Sequence, residues 1–343
     1  MQKKKVKNMT TQNKSPKTSI GFIGMGHMGS HMALRLLSQG YALTVYDRTR
    51  EKTRSIAQQR AQVAETPRAV ATASNIILSS VADDAALEAV MLGPDGILAG
   101  ARPGTICIEM STVSPAIIRR MALLAKEHGV QLIDAPVSGS VPQVDAGSLV
   151  IFIGGKQEAY LASKPILDVL GTKHFYMGSN GMGIMMKLVV NALLGLSLQA
   201  IAEALALGEK AGLERTQLIR VLEETSIVSP RQKTALENAE SRQYPANFPL
   251  PLMFKDFGLI LRLASELAVP MPTTAAAQQA YAIGQAKGVT DDVAAIIAVM
   301  EELAAPMPAA AEAQQTYATS ENGEADDDLN LINAIEQLAG ISE

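Results

Sequence analysis

Cysteine occurs once in 343 residues, at Cys107. A single thiol excludes a disulfide framework and any metal site built on cysteines, and it fits a reducing compartment, so a cytoplasmic location is expected. Histidine occurs four times, at His27, His31, His128 and His174, with none of the spacings that metal ligands use. No metal centre is expected. Neither sign of charge dominates: 30 Lys and Arg against 34 Asp and Glu leave a formal net charge of −4, which argues against a general nucleic-acid binder. Uninterrupted apolar runs of the roughly 18–20 residues that a bilayer crossing needs are also missing. The most apolar region, residues 188–207, is broken by Asn191, Ser197, Gln199 and Glu203, and no membrane partner is expected. What remains is a chain with 48% hydrophobic and 19% charged residues. That composition can bury a sizeable core, and the length suits about two domains of roughly 150 residues.

The two ends read differently from the middle. Residues 1–17 carry Lys3, Lys4, Lys5, Lys7, Lys14 and Lys17 with no apolar segment behind them, whereas a secretory signal needs about 7–15 apolar residues. They read as a disordered, solvated basic tail. Near the other end, the segment Leu263 to Pro272 returns as Met300 to Pro308, and Asp291-Asp292 returns as Asp327-Asp328 at the same offset. Two copies are too few to stack a solenoid, so residues 304–343 read as a duplicated helical extension.

Between these ends lies a recognisable order of elements. Ser19-Ile-Gly-Phe-Ile23 is a short apolar run, followed by Gly24-Met25-Gly26-His27-Met28-Gly29 and then by Met32, Leu34, Leu36 and Leu37 at helical spacing. Tyr41 to Tyr46 reads as a second strand ending at Asp47. In such a strand–turn–helix–strand unit each glycine has its own mechanical role. Gly24 permits the tight turn, Gly26 lets the backbone approach a pyrophosphate, and Gly29 lets helix pack closely on strand. The helix N-terminus offers unpaired N–H groups to phosphate, and Asp47 can accept hydrogen bonds from the adenosine ribose hydroxyls. A nicotinamide dinucleotide is the expected cofactor. Asp47 would repel a 2′-phosphate and favours NAD, while Arg48, Arg50, Lys52 and Arg54 keep NADP open.

Further apolar runs at Asn75–Val81, Thr105–Met110, Gln131–Val137 and Ser148–Gly154 read as buried strands, with Pro115–Glu127 helical between them. Strands alternating with helices predict a Rossmann-type, mostly parallel sheet over residues 18–180, with ligands at the carboxyl ends of the strands. Residues 181–303 read as an all-α domain, giving an α/β protein with a helical second half. That half opens on Gly178-Ser-Asn-Gly-Met-Gly183 and the longest apolar helix in the chain. Lys187 and Asn191 lie one turn apart on one face of it. Apolar neighbours desolvate a lysine and lower its pKa, which suits an acid/base catalyst. Spacing alone is equally compatible with a lysine that snorkels to water above a satisfied core asparagine.

Four segments together carry a specific resemblance: Gly21 to Gly29, Asp134-Ala-Pro-Val-Ser-Gly139, Gly178 to Asn191, and Lys255-Asp256. In this order the chain resembles the β-hydroxyacid dehydrogenase family, from about Ser19 to about Leu303. The resemblance implies an NAD(P)-dependent oxidoreductase that interconverts a short β-hydroxyacid and its oxo-acid or semialdehyde, working as a homodimer or homotetramer. It implies that Lys187 is the catalytic acid/base, that Asn191 supports substrate binding, and that Ser138 and Gly139 hold the substrate carboxylate. Thr112 falls beside the nicotinamide ribose, Lys255 by the cofactor with Asp256 next to it, and Val81-Ala82 along the dinucleotide. Ser140 and Val144 stand where the family carries glycine and alanine, which predicts a narrower or more polar substrate pocket.

Two other readings compete: an imine reductase on the same scaffold, against which Lys187 counts, and a non-catalytic Rossmann interaction module. Tyr160-Leu-Ala-Ser-Lys164 has the Tyr-x-x-x-Lys spacing of short-chain dehydrogenases, but it reads as a surface helix.

Overall fold

The computed structural model describes residues 19–304; the tail expected over residues 1–17 and the extension expected beyond residue 304 lie outside the described residues. Nine strands form one sheet among the described residues: β1 (Ile20–Ile23), β2 (Leu43–Tyr46), β3 (Gln62–Val63), β4 (Ile76–Ser79), β5 (Ile106–Glu109), β6 (Gln131–Asp134), β7 (Val137–Ser138), β8 (Leu149–Gly154) and β9 (Gly171–Gly178). Their order is β3-β2-β1-β4-β5-β6-β8-β7, with β9 also paired to β8. The first six run parallel, β8 reverses against β6 and β7, and β9 is parallel to β8. The sheet is therefore mostly parallel, as expected. The run read as one strand over 131–137 is two, because Pro136 has no N–H to give to a ladder.

The crossovers hold α1 (His27–Ser38), α2 (Arg54–Gln58), α3 (Pro67–Ala73), α4 (Asp84–Met91), α5 (Ile97–Gly100), α6 (Pro115–Glu127), α7 (Val141–Ala146) and α8 (Gln157–Leu170). The two faces of the sheet bury alternate residues, as the period of a strand requires. Ile77, Cys107 and Leu132 point into one cluster, and Ile76, Leu78, Ile106, Ile108 and Ile133 into the other. α6 begins where its sequence dictates. Pro115 stands in the first turn, and the Ser114 hydroxyl accepts the Ile117 N–H at 3.1 Å.

The second half is helical: α9 (Met182–Lys210), α10 (Arg215–Glu224), α11 (Pro230–Ser241), α12 (Leu250–Glu266), α13 (Pro272–Ala286) and α14 (Ile296–Ala304). α9 is 29 residues long with an 18-residue window of mean hydropathy 1.8. By length and composition it could cross a bilayer. Here it is instead the axis of the helical half, packed against α12, α13, α14 and the end of β8. Its inward residues Leu188, Leu198, Ala202 and Leu205 are buried with Phe257 and Ile297. The first copy of the repeat is the α12–Pro–α13 unit, and α14 starts the second.

Candidate active site

The sequence Gly24 to Gly29 folds into a turn that only glycine permits at two places. Gly24 has φ +93°, and a Cβ on it would lie 2.1 Å from the Ser80 carbonyl oxygen; a Cβ on Gly29 would lie 2.0 Å from the Gly24 carbonyl oxygen. Backbone therefore packs on backbone at both points. Gly26 faces open space. It caps α1 without any side-chain hydrogen bond, and no acid occupies the first turn, so the first N–H groups and the positive end of the helix dipole are directed outward. That cradle fits a pyrophosphate. Asp47 closes it, its two carboxylate oxygens accepting the Met25 and Thr49 N–H groups at 2.7 Å each.

A cleft of about 650 Å³ runs from this turn towards the helical half. Gly24, Gly26, His27, Met28, Asp47 and Arg48 line one end, and Val81, Ala82, Thr112, Gly139, Lys187 and Lys255 line the rest. Met25 and Gly29 sit behind the turn, buried. Ser138 is half-buried in β7 and Asn191 is wholly buried; neither lines the cleft. Of the cations after Asp47, Arg48 and Lys52 line the cleft, whereas Arg50 reaches away to Glu65 at 2.7 Å.

At the far end, α9 and α12 bring three charges together. Lys187 extends from α9 into the cleft, and burial lowers its pKa to about 8, with the Lys255 charge adding to the effect and Asp256 opposing it. Asp256 is buried; its carboxylate accepts the Asn191 amide at 2.6 Å and pairs with the Lys255 ammonium at 3.1 Å. Burial raises the pKa of Asp256, while Lys255 and Lys187 oppose that rise. Lys255 also donates to the Thr112 carbonyl oxygen, tying α12 to the loop after β5. Asn191 thus reaches Lys187 through Asp256 rather than through the cleft. Such a corner holds an amine that changes charge near neutral pH, beside a dinucleotide cradle.

Two buried acids that shape this corner owe their partners to the fold rather than to the local sequence. Asp134, at the end of β6, accepts the Gly181 N–H at 2.8 Å and the Ile184 N–H at 3.0 Å, and so caps α9 from across the sheet. Asp292 is buried and accepts from Arg231 at 2.6 Å and from the Phe248 N–H at 3.0 Å. It thereby fixes the segment whose Asn247, Phe248 and Pro249 wall the cleft. The doublet Asp291-Asp292 is legible as part of a repeat, but its partner loop lies over 40 residues away.

The expected effect of Ser140 and Val144 on the pocket is corrected by their positions. Ser140 has φ −127°, an extended conformation open to any residue, and caps α7 through a reciprocal pair with Gln143. Val144 is buried in the core beneath α1. Neither lines the cleft, so these departures leave its shape alone. Tyr160 and Lys164 lie on α8 away from the cleft, with Lys164 bound to Asp168 at 2.7 Å.

Comparison with known proteins agrees with this geometry. Residues 19–178 match the family model for the NAD binding domain of 6-phosphogluconate dehydrogenase, and residues 181–300 that for the NAD-binding domain of NADP-dependent 3-hydroxyisobutyrate dehydrogenase. The chain is 36% identical over 279 residues to 2-(hydroxymethyl)glutarate dehydrogenase of Eubacterium barkeri, covering 81% of this chain and 93% of that protein. It is 32% identical to 3-hydroxyisobutyrate dehydrogenase of Pseudomonas aeruginosa, over 78% of this chain and 92% of that one. The structure of the Mycobacterium tuberculosis 3-hydroxyisobutyrate dehydrogenase with L-serine superposes with a TM-score of 0.75 at 27% identity, covering 83% and 99% of the two chains. With its cradle, its family matches over both halves and these relatives, the chain belongs to the β-hydroxyacid dehydrogenase family and is an NAD(P)-dependent oxidoreductase acting on CH–OH groups.

Proposed function

We propose that the cleft interconverts a short 3-hydroxy acid and its semialdehyde or oxo-acid, with Lys187 as the acid/base. The observation that carries this reading is the Lys187 amine, tuned to about pH 8 in the same cleft as the phosphate turn. The dinucleotide, when bound, supplies or accepts the hydride. In oxidation the neutral Lys187 amine takes the hydroxyl proton as the C–H hydride leaves; in reduction the ammonium returns that proton to the developing alkoxide. Gly139, at the turn out of β7, lines the cleft and offers backbone for the acid group, and Asn191 holds Asp256 so that Lys187 keeps its charge balance. Relatives named for hydroxymethylglutarate and 3-hydroxyisobutyrate point to a carboxylate with a hydroxyl on its β-carbon as substrate class.

Asp47 at the ribose end favours NAD over NADP. The lone thiol, Cys107, is buried and free, which supports a reducing, cytoplasmic setting. The chain works as a homo-oligomer, a reading supported by an exposed apolar stripe along α9.

A nicotinamide-absorbance screen of 3-hydroxy acids and semialdehydes with both cofactors tests this directly. Turnover of at least one such pair is expected, with Lys187→Ala keeping its dinucleotide affinity and losing about 10²–10⁴ in kcat. Faster reduction of cyclic imines than of any semialdehyde, or near-normal turnover by Lys187→Ala, would reverse the assignment.

A further inference from the structure

Outside the reactive corner, the least expected group in the sheet is a carboxylate. Glu109 ends β5 and has no exposed surface at all. An ionisable side chain buried this deeply is costly unless its lone pairs are occupied. Here they are. The Ser79 hydroxyl, from the end of β4, donates to Oε2, and the Ser111 N–H donates to Oε1 at 2.8 Å. The Ser111 hydroxyl oxygen in turn accepts the Val81 N–H at 2.7 Å. One relay thus runs from the Val81 amide through Ser111 to Glu109, with Ser79 closing it from the neighbouring strand. Its two ends are backbone segments that line the cleft, residues 80–82 after β4 and 110–112 after β5.

We propose that Glu109 is a positioning residue for the dinucleotide: its ionised carboxylate locks the carboxyl ends of β4 and β5 into the conformation that receives the cofactor. The proposal rests on the dinucleotide-binding role of this cleft. Hydrogen bonds to the ionised form are charge-assisted and roughly twice as strong as neutral ones, so protonation weakens the link between the two strand ends even when the Ser79 hydroxyl turns to accept the new O–H. Burial pushes the Glu109 pKa up to about 7, against the hydrogen bonds from Ser79 and Ser111. The other titratable groups facing it are Asp134 on β6, whose charge raises it further, and Cys107 on its own strand, whose buried thiol is raised to about 12 and stays neutral. The lock therefore engages as pH rises through neutrality.

The test measures NAD dissociation constants of wild type and Glu109→Gln between pH 6 and 8.5 by calorimetry. The ratio of the two is expected to be near 1 at pH 6, where both side chains are neutral, and to reach about tenfold in favour of wild type at pH 8.5. Taking the ratio cancels any pH dependence from His27 or other cleft groups. Ser79→Ala removes one donor to the ionised form, so its own affinity transition should move to higher pH. It also covers the case in which Glu109→Gln fails to fold. A ratio that stays flat across the range, or a Ser79→Ala transition that does not move, overturns the proposal. Failure of wild type to bind NAD or NADP at any pH would instead remove the underlying assignment of the cleft.

Discussion

In the proposed mechanism the Lys187 side chain serves as both acid and base, and its surroundings set the pH at which it changes role. A pKa near 8 means that reduction, which needs the ammonium, should decline as pH rises above about 8. Oxidation, which needs the free amine, should rise through the same value. Measuring kcat in both directions from pH 6 to 10 is expected to give mirror-image limbs with a common midpoint; two unrelated midpoints would detach Lys187 from proton transfer. The midpoint should also respond to Asp256, whose charge holds the Lys187 pKa up. Asp256→Asn keeps an acceptor for the Asn191 amide but removes the charge, so both limbs should move to lower pH. A rise, or no movement, would show that the Asp256 charge does not hold the Lys187 pKa up.

At the scale of elements, the helix that carries Lys187 depends on a carboxylate from a strand. Asp134 satisfies two N–H groups in the first turn of α9, and in this buried place nothing else can replace it. Asp134→Ala should cost about 2 kcal/mol of stability in urea denaturation, with Asp134→Asn intermediate because one acceptor remains. An unchanged midpoint for the alanine variant would mean that α9 holds its start without a cap. This cap shows why part of the molecule was legible and part was not. β1, α1 and the turn between them carry their signals within a short consecutive stretch, and α6 carries both Ser114 and Pro115 at its own start, so periodicity and glycine spacing sufficed. β9 carries no such signal: Thr172, Lys173, Phe175 and Tyr176 are exposed on a sheet edge, and its sequence shows neither an apolar run nor a clean alternation. Asp134, Glu109 and Asp292 act on partners that only the fold brings near. Lys187 was legible as a candidate from its apolar helix and took its role, like Lys255-Asp256, from the family resemblance; the buried link from Asn191 to Asp256 needed the structure.

At the scale of the whole molecule, the informative feature is the surface of α9. Val189 is 62% exposed and Leu193 and Leu207 72% each, although they sit on the most apolar helix of the chain. At 100° per residue, Val189 and Leu207 fall at the same angle and Leu193 within about 40° of them, with Met182 between. One stripe therefore runs along most of a helix about 43 Å long. Scattered exposed leucines need no explanation, but large apolar residues aligned on one face of the helix that bears Lys187, interrupted by the exposed Glu203, support the proposed homo-oligomer. Laid against the same stripe of a second copy, it offers the self-complementary surface that a two-fold axis requires, and its length can bury the roughly 800 Å² per partner that a stable dimer uses. Leu193→Glu places a charge in the middle of that stripe and should convert the oligomer to monomer in size-exclusion chromatography with light scattering. Leu123→Glu is the control: it alters another exposed leucine, on α6, outside the stripe, and should leave the mass unchanged. A Leu193→Glu protein that keeps the wild-type mass would place the subunit contact elsewhere, and a wild type that is already monomeric would leave the stripe without a partner of its own kind.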